Sequence, residues 1–249
     1  MLTVRSMTVT APFLNSDMGE GYGLHSFGND DALLGLVDVI NVACGYHAGD
    51  PDTMDRTVAA AVERGVLIGA HPGLPDLAGF GRRRMSLLPS EVESIVLYQV
   101  GALSAFLVKH GVRLNHIKPH GALYGMLAAD PELMAGVARA ARQFDVPVFG
   151  LAGTAHEAVC LELGVPFVAE LYVDLNYDGA GELIIQRRPG KTDPAEAGWR
   201  VARAMAGEGV LAVDGTELDI RFDSVCVHSD APNSVVVAAA VRAVLDRQQ

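Results

Sequence analysis

The sequence predicts an α/β protein built as a single β/α barrel, seven-stranded and irregular. Three observations predict it. The chain has 249 residues, a length that suits one barrel. Short apolar runs alternate with longer amphipathic segments from end to end, the pattern of a parallel sheet covered by helices. Polar side chains gather where the apolar runs stop. No break in composition divides the chain, so residues 1–249 are read as one domain, with 1–11 as an N-terminal extension. Alternation alone does not decide closure, and an open doubly wound sheet is the alternative.

Strands are expected near residues 12–16, 37–43, 66–70, 114–118, 147–151, 166–171 and 224–227. Helices are expected over 51–64, 89–110, 131–142, 193–206 and 232–247. Pro51, Pro89 and Pro131 stand at first-turn positions, where the missing N–H is no loss. Lys109, His110 and Gly111 form a stop signal for the longest helix. The stretch 172–192 carries Gly179, Gly181 and Gly190 and reads as a hairpin or a lid. Asp214-Gly215 marks a second hairpin within 210–222.

Half the residues are apolar, mostly Ala, Val and Leu, as buried strands and covering helices require. The net charge of −11 argues against nucleic acid and anionic membranes as partners. Cys44, Cys160 and Cys226 are the only cysteines, and no C-x-x-C pair occurs. A disulfide framework and a structural zinc site are therefore not expected, and a reducing compartment is. The first eleven residues do not read as a signal peptide, and no apolar stretch is taken to reach membrane-spanning length. A cytoplasmic protein is the expectation.

The strand ends carry the chemistry. The first runs Leu14-Asn15-Ser16-Asp17-Met18-Gly19-Glu20, the second Asn41-Val42-Ala43-Cys44-Gly45-Tyr46-His47-Ala48-Gly49-Asp50, and the third Gly69-Ala70-His71-Pro72. The fourth is His116-Ile117-Lys118-Pro119-His120-Gly121, and the last Cys226-Val227-His228-Ser229-Asp230. In a barrel these ends converge on the face that holds active sites. Side chains alternate along a strand, so Asn15 pairs in direction with Asp17, His116 with Lys118 and His120, and Cys226 with His228. Polar groups aimed inward must satisfy one another, water or a ligand.

Single residues read more plainly. His71 alone could cap a strand, and His47 alone could sit in a surface loop. His25, His110 and His156 are taken as structural, Trp199 as core, and Cys160 and Cys226 as small buried hydrophobes. Cys44 lies among site residues but shows no sign of an activated thiol. In Gly79-Phe80-Gly81-Arg82-Arg83-Arg84, Arg82 is suited to grip a carboxylate or phosphate, while Arg83 and Arg84 are read as solvated. No Walker-type loop and no G-x-G-x-x-G after a strand is present.

Six strings, in order along nearly the whole chain from residue 13, resemble the LamB/YcsF lactam-utilisation family, whose members form the A component of 5-oxoprolinase. They are Leu14-Asn15-x-Asp17-x-Gly19-Glu20, Asn41-x-Ala43-Cys44-Gly45-x-His47-Ala48-Gly49-Asp50, Gly69-Ala70-His71-Pro72, Phe80-Gly81-Arg82, Lys118-Pro119-His120-Gly121-x-Leu123-Tyr124 and Gly150-Leu151-Ala152-Gly153. The resemblance implies a barrel related to glycoside hydrolases and deacetylases. It implies ATP-dependent cleavage of 5-oxoproline to L-glutamate, or of a related lactam, with Mg²⁺, alongside partner subunits B and C. In that scheme the A component phosphorylates the lactam. Three departures stand out. Phe13 replaces a usual Asp, Leu175-Asn176 a usual Arg-Gly, and Ser229 a usual Gly. The first two remove charge from or near the expected site.

Asp17, Glu20, His47, His71, Lys118 and His120 are the expected catalytic residues. Asn15, Asn41, Cys44, Arg82, Tyr124, Asp174, His228 and Asp230 are the expected substrate- or phosphate-binding residues. A five-membered lactam is resonance-stabilised, and phosphorylating its oxygen makes the carbon electrophilic. That step needs cations around the phosphate and an acceptor for the lactam N–H. One alternative is a metal-dependent amidohydrolase or deacetylase, with Asp17 and two of His47, His71 and His120 as ligands. Asp17, His47 and His71 are the leading metal candidates. A non-catalytic protein that binds a lactam for a partner is another reading, and homo-oligomerisation is left open.

Overall fold

The structure, a computed structural model, describes residues 11–186 and 189–247. Residues 1–10 of the expected extension lie outside the described residues. Six strands form one parallel sheet: β1 (Phe13–Met18), β2 (Val39–Ala43), β3 (Leu67–His71), β4 (Val148–Gly150), β5 (Phe167–Tyr172) and, late in the chain, β10 (Ser224–Cys226). Their order is β3-β2-β1-β10-β5-β4. Ile117 closes the ring, bridging in parallel to Ala70 of β3 and Val148 of β4. The barrel is therefore closed, with six strands and one narrow seventh stave, and the open-sheet alternative falls away.

The expected strand at 114–118 is a correction. Its bridges run through Ile117, and Pro72 interrupts the ladder beyond it. The Ala70 N–H donates to the His116 carbonyl (2.9 Å) and the Lys118 N–H to the Ala70 carbonyl (2.9 Å). The next rung needs an N–H from residue 72, which proline lacks. The ring of His71 fills the gap, with Nδ1 2.7 Å from the Lys118 carbonyl.

Between the strands run α1 (Asp30–Leu33), α2 (Pro51–Arg64), α3 (Pro89–Lys109), α4 (Gly121–Ala129), α5 (Pro131–Phe144), α6 (Ala155–Glu162), α7 (Pro194–Met205) and α8 (Ser234–Asp246). The five expected helices are present with ends within a few residues, whereas α1, α4 and α6 were not expected. Asp50 starts α2 by accepting from the N–H groups of Asp52 and Thr53, and Asp130 starts α5 in the same way. The expected hairpins are also present, as β6 (Asn176–Tyr177) with β7 (Leu183–Ile184) and β8 (Val210–Leu211) with β9 (Glu217–Leu218).

Two further expectations are corrected. The helix α3 is long and apolar enough to cross a bilayer by length and composition. It packs on α2, α5 and the barrel, burying Val92, Val96, Val100, Leu103 and Leu107. Trp199 is not core. It is 47% exposed and lies under the Arg203 guanidinium, 5.1 Å from its ring centroid. Its apolar spacing on α7 belongs to a face only partly covered.

The barrel interior is layered. Phe13, Val39, Phe149 and Val168 make an apolar plug at the amino ends of the strands. Above it lie Asn15, Asn41, His116, Glu170 and Ser224, all buried. Gly69 leaves room for this layer, since a Cβ there would fall 2.0 Å from the His116 ring. Phe13 thus belongs to the plug, two residues along β1 from the polar layer and four from Asp17, and the charge lost at this position is remote from the cup.

Candidate functional site

At the carboxyl ends of the strands the next layer opens into a cleft. Asp17, His71, Arg82, Lys118, His120, Tyr124, Tyr172, Asp174, His228 and Asp230 line it, and it encloses about 570 Å³, part of it open to solvent. The β6–β7 hairpin supplies Leu183 and the following Ile185 to one wall, and Leu175 stands beside them. A second, larger cleft of about 1110 Å³ adjoins it, sharing Arg82, Tyr124, Leu183 and Ile185 and adding Arg84 and Thr154.

Lys118 is the centre of the first cleft's floor. Its side chain is 2% exposed. Its Nζ lies 3.0 Å from Asp17 Oδ1, 3.2 Å from Glu170 Oε1, 3.3 Å from Asn15 Oδ1 and 3.0 Å from Cys226 Sγ. The Tyr172 ring covers it, 5.2 Å away at its centroid. Burial works against this ammonium, but Asp17, Cys226 and Glu170 hold it well above the usual lysine range. The cage continues outward. Asn41 Nδ2 donates to Asp17 Oδ1 (2.7 Å) and Asn15 Oδ1 (2.8 Å). The hydroxyls of Tyr172 and Tyr124 donate to Glu170 Oε2 at 2.9 and 3.2 Å.

The other oxygen of Asp17, Oδ2, faces His71 Nε2 at 3.2 Å and His228 Nε2 at 3.6 Å. Burial opposes its charge, yet His71, Lys118 and His228 keep Asp17 well below the usual carboxylate range. His228 is anchored by Asp174, with Nδ1 3.0 Å from Oδ1 and its backbone N–H 2.7 Å from Oδ2. Burial would lower its pKa, but Asp174 and Asp17 together raise it to about 9. Arg82 donates to Asp230 at 2.8 Å.

Beside this cage lies a histidine cluster. His71 and His120 meet at 2.9 Å, Nε2 to Nδ1. His120 Nε2 lies 2.8 Å from the Phe80 carbonyl. His47 stacks on His120, ring centroids 3.7 Å apart, and reaches Glu20 Oε1 at 3.3 Å. Burial, with help from neighbouring positive groups, pushes His47 and His120 well below the usual histidine range. Burial, with Asp17 and Asp230, pushes Glu20 well above the usual carboxylate range. Glu20 reaches this place because Gly19 turns the chain after β1 at φ +71°, a left-handed conformation.

The structure therefore brings together Asp17, His71, Lys118 and His120 on the cleft wall, with Glu20 and His47 fully buried behind them. His47 is not a surface loop residue. Arg82, Tyr124, Asp174, His228 and Asp230 are in the wall, while Asn15 and Asn41 lie one layer below it. Cys44 lines neither cleft. Burial raises its thiol to about 12 and Sγ donates to the Val42 carbonyl, so it is no nucleophile. Cys226 is buried but is a partner of Lys118 as well as a hydrophobe. Arg83 and Arg84 are both exposed, as expected, and Arg83 also pairs with the buried carboxylate of Asp76. Ser229 is buried, its Oγ close to Gly28. Asn176 is held by Arg200 at 2.9 Å, outside the cleft lining.

The profile of the LamB/YcsF family matches residues 13–249. The chain belongs to the LamB/YcsF family. Among its relatives, a lactam utilization protein lamB of Emericella nidulans is 45% identical over 241 residues, spanning 94% of this chain and 93% of its own. The A component of 5-oxoprolinase from Thermus thermophilus is 44% identical, over 94% of this chain and 95% of its own. The crystal structure of a lactam utilization protein from the same bacterium superposes with a TM-score of 0.88 at 42% identity, covering 96% of this chain and 97% of the other. Family membership and the barrel are thus established together.

Sequence reading missed Glu170 and Tyr172. Both lie on β5, whose Phe-Val-Ala-Glu-Leu-Tyr run reads as an apolar strand. A single carboxylate inside such a run was the available signal, because a charged side chain is hardly ever buried without a partner.

Proposed function

We propose that this chain opens a small cyclic amide, 5-oxoproline to L-glutamate or a related lactam, in an ATP-dependent reaction. It would do so as the A component of a 5-oxoprolinase that also includes subunits B and C. The observation that carries the reading is the buried ammonium of Lys118 beside the ionised Asp17, at the floor of the cleft between the strand ends. The names of the relatives agree with it.

In this reading the lactam occupies the smaller cleft and Mg-ATP the larger one, with Arg82 at their junction. Arg82 and Arg84 bring positive charge to the larger cleft, as a polyphosphate requires. Asp17 accepts the lactam N–H, and Lys118 stabilises negative charge gathering on the lactam oxygen. A new bond joins that oxygen to the γ-phosphorus while the bond from phosphorus to ADP breaks. The N–H proton passes to the Asp17 carboxylate that accepts it. One water then adds to the ring carbon and the C–N bond breaks, leaving an amine and an acyl phosphate. A second water releases phosphate and the free carboxylate. His228 and Asp230 close the far side. Leu175 places apolar surface where the family usually has Arg, which favours a lactam carrying less charge than 5-oxoproline.

The test is turnover of a panel of cyclic amides by the purified chain, with and without Mg-ATP and subunits B and C. ATP-dependent opening of at least one lactam is expected, and Asp17→Ala, His71→Ala and Lys118→Ala should each reduce it well over tenfold in folded protein. Opening without ATP, or near-normal rates in all three variants, overturns the proposal.

A further inference from the structure

We propose that His71, His120 and Glu20 form a binding site for one divalent metal ion of the zinc class, open on its fourth side to the smaller cleft. His71 Nδ1 faces the Lys118 carbonyl and His120 Nε2 faces the Phe80 carbonyl. A carbonyl only accepts, so both of those nitrogens carry hydrogen. In their neutral forms the two rings then aim bare lone pairs at each other across 2.9 Å. Something positive belongs between them, and only a proton or a metal ion fits.

Three observations favour the metal. A carboxylate oxygen completes the set, since Glu20 Oε1 is 3.7 Å from His120 Nδ1, and the ligand atoms of Glu20, His47, His71 and His120 all lie within 4.8 Å of one another. Ligands about 2.1 Å from a tetrahedral ion stand roughly 3.4 Å apart, which the observed separations straddle. Backbone carbonyls fix the far nitrogen of both rings, the arrangement that orients histidine ligands. Two nitrogens and one oxygen with an open position is a donor set typical of catalytic zinc.

His47 lies in the same group but does not complete it as a ligand. Its ring is parallel to that of His120, with 5° between the planes. Ligand lone pairs lie in the ring plane, so those of parallel stacked rings do not converge on one ion. His47 Nε2 is placed instead to donate to Glu20 Oε1, orienting that carboxylate. Asp17 lies beside the set rather than within it: its Oδ1 is taken by the Lys118 ammonium at 3.0 Å, its Oδ2 faces His71 Nε2 at 3.2 Å, and its oxygens group with Cys226 and His228. Of the residues weighed from sequence as metal ligands, His71 and His120 belong to the set.

The experiment uses the full chain, stripped with a chelator and titrated with ZnCl₂ or CoCl₂ without nucleotide, so its result is separate from the ATP-dependent reading. One ion per chain is expected, with a visible Co²⁺ absorption band and a raised melting temperature. His120→Ala and Glu20→Gln should each weaken uptake by about tenfold or more, while Cys226→Ala leaves it unchanged. If His120→Ala does not fold, as judged by circular dichroism, the near-isosteric Glu20→Gln decides. Failure of the wild-type chain to take up Zn²⁺, Co²⁺ or Mn²⁺ means that a shared proton fills the gap, and overturns the proposal. So does uptake that survives Glu20→Gln, or that is lost in Cys226→Ala.

Discussion

Around Lys118, two carboxylates, two asparagines, a thiol and two tyrosines are bound to one another or to the ammonium, with little left to satisfy. A few ångströms away, His47, His71, His120 and Glu20 are packed as tightly but bonded less completely: His71 Nε2 and His120 Nδ1 face each other at 2.9 Å, and among the described residues His47 Nδ1 is buried without a hydrogen-bond partner. Both regions are buried. What separates them is charge. The first balances its anions with a cation from its own sequence, whereas the second gathers His47, His120 and Glu20, whose charged forms burial disfavours, and meets the first through the contact of His71 with Asp17. A region balanced internally acts as scaffold and fixed field, and one left short of positive charge is where a ligand or proton is to be sought.

Removing the balancing charge should have the largest effect. Lys118→Met leaves Asp17 and Glu170 buried without their cation, and a loss of about 3–5 kcal/mol is expected in urea unfolding. A loss below about 1 kcal/mol would show that the cage is not held by that charge.

The next effect comes from pH. His228 is the imidazole that sides with the anionic region, holding its proton in the folded state up to about pH 9. The unfolded chain releases that proton near 6.5. Its stabilisation is therefore complete below about pH 6.5, fades as pH rises, and is gone above about 9. The full swing is on the order of 3 kcal/mol. Unfolding followed from pH 6 to 10 should show this decline in the wild type and a flatter profile in His228→Asn. Parallel profiles would place the proton elsewhere.

The smallest effect concerns the thiol. Cys226→Ser keeps both the size and a polar partner for Lys118, and stability should change by less than about 1 kcal/mol. A larger loss would mean that the sulfur is a more important partner of the ammonium than its weak polarity suggests.

Much of this was legible in the sequence, and what was not has physical reasons. Side-chain alternation placed Asn15 with Asp17 and Cys226 with His228, because β1 spans the first pair and the Val227 N–H still pairs with the Asn15 carbonyl just past β10. Alternation could not place Glu20, since Gly19 breaks the register by turning left-handed. Closure was expected from the number of β/α units, although alternation alone does not decide it, and Ile117 is the residue that carries it. The helix α4 was missed because Gly121-Ala122-Leu123-Tyr124-Gly125-Met126-Leu127 is apolar on nearly every side and offers no stripe to read. Trp199 was misplaced because apolar spacing shows that a face exists and not how completely it is covered. His47 could not be told from a loop residue until the chain around it was folded.

Pro72 has a consequence that reaches beyond its own position. By denying the barrel one amide hydrogen, it recruits an imidazole as a member of the backbone lattice. The tautomer and tilt of His71 are therefore set by the same bond that seals the last seam of the wall. The ring cannot swing without loosening the seam, and the seam cannot breathe without disturbing the ring, so the reactive nitrogen inherits the stiffness of the sheet.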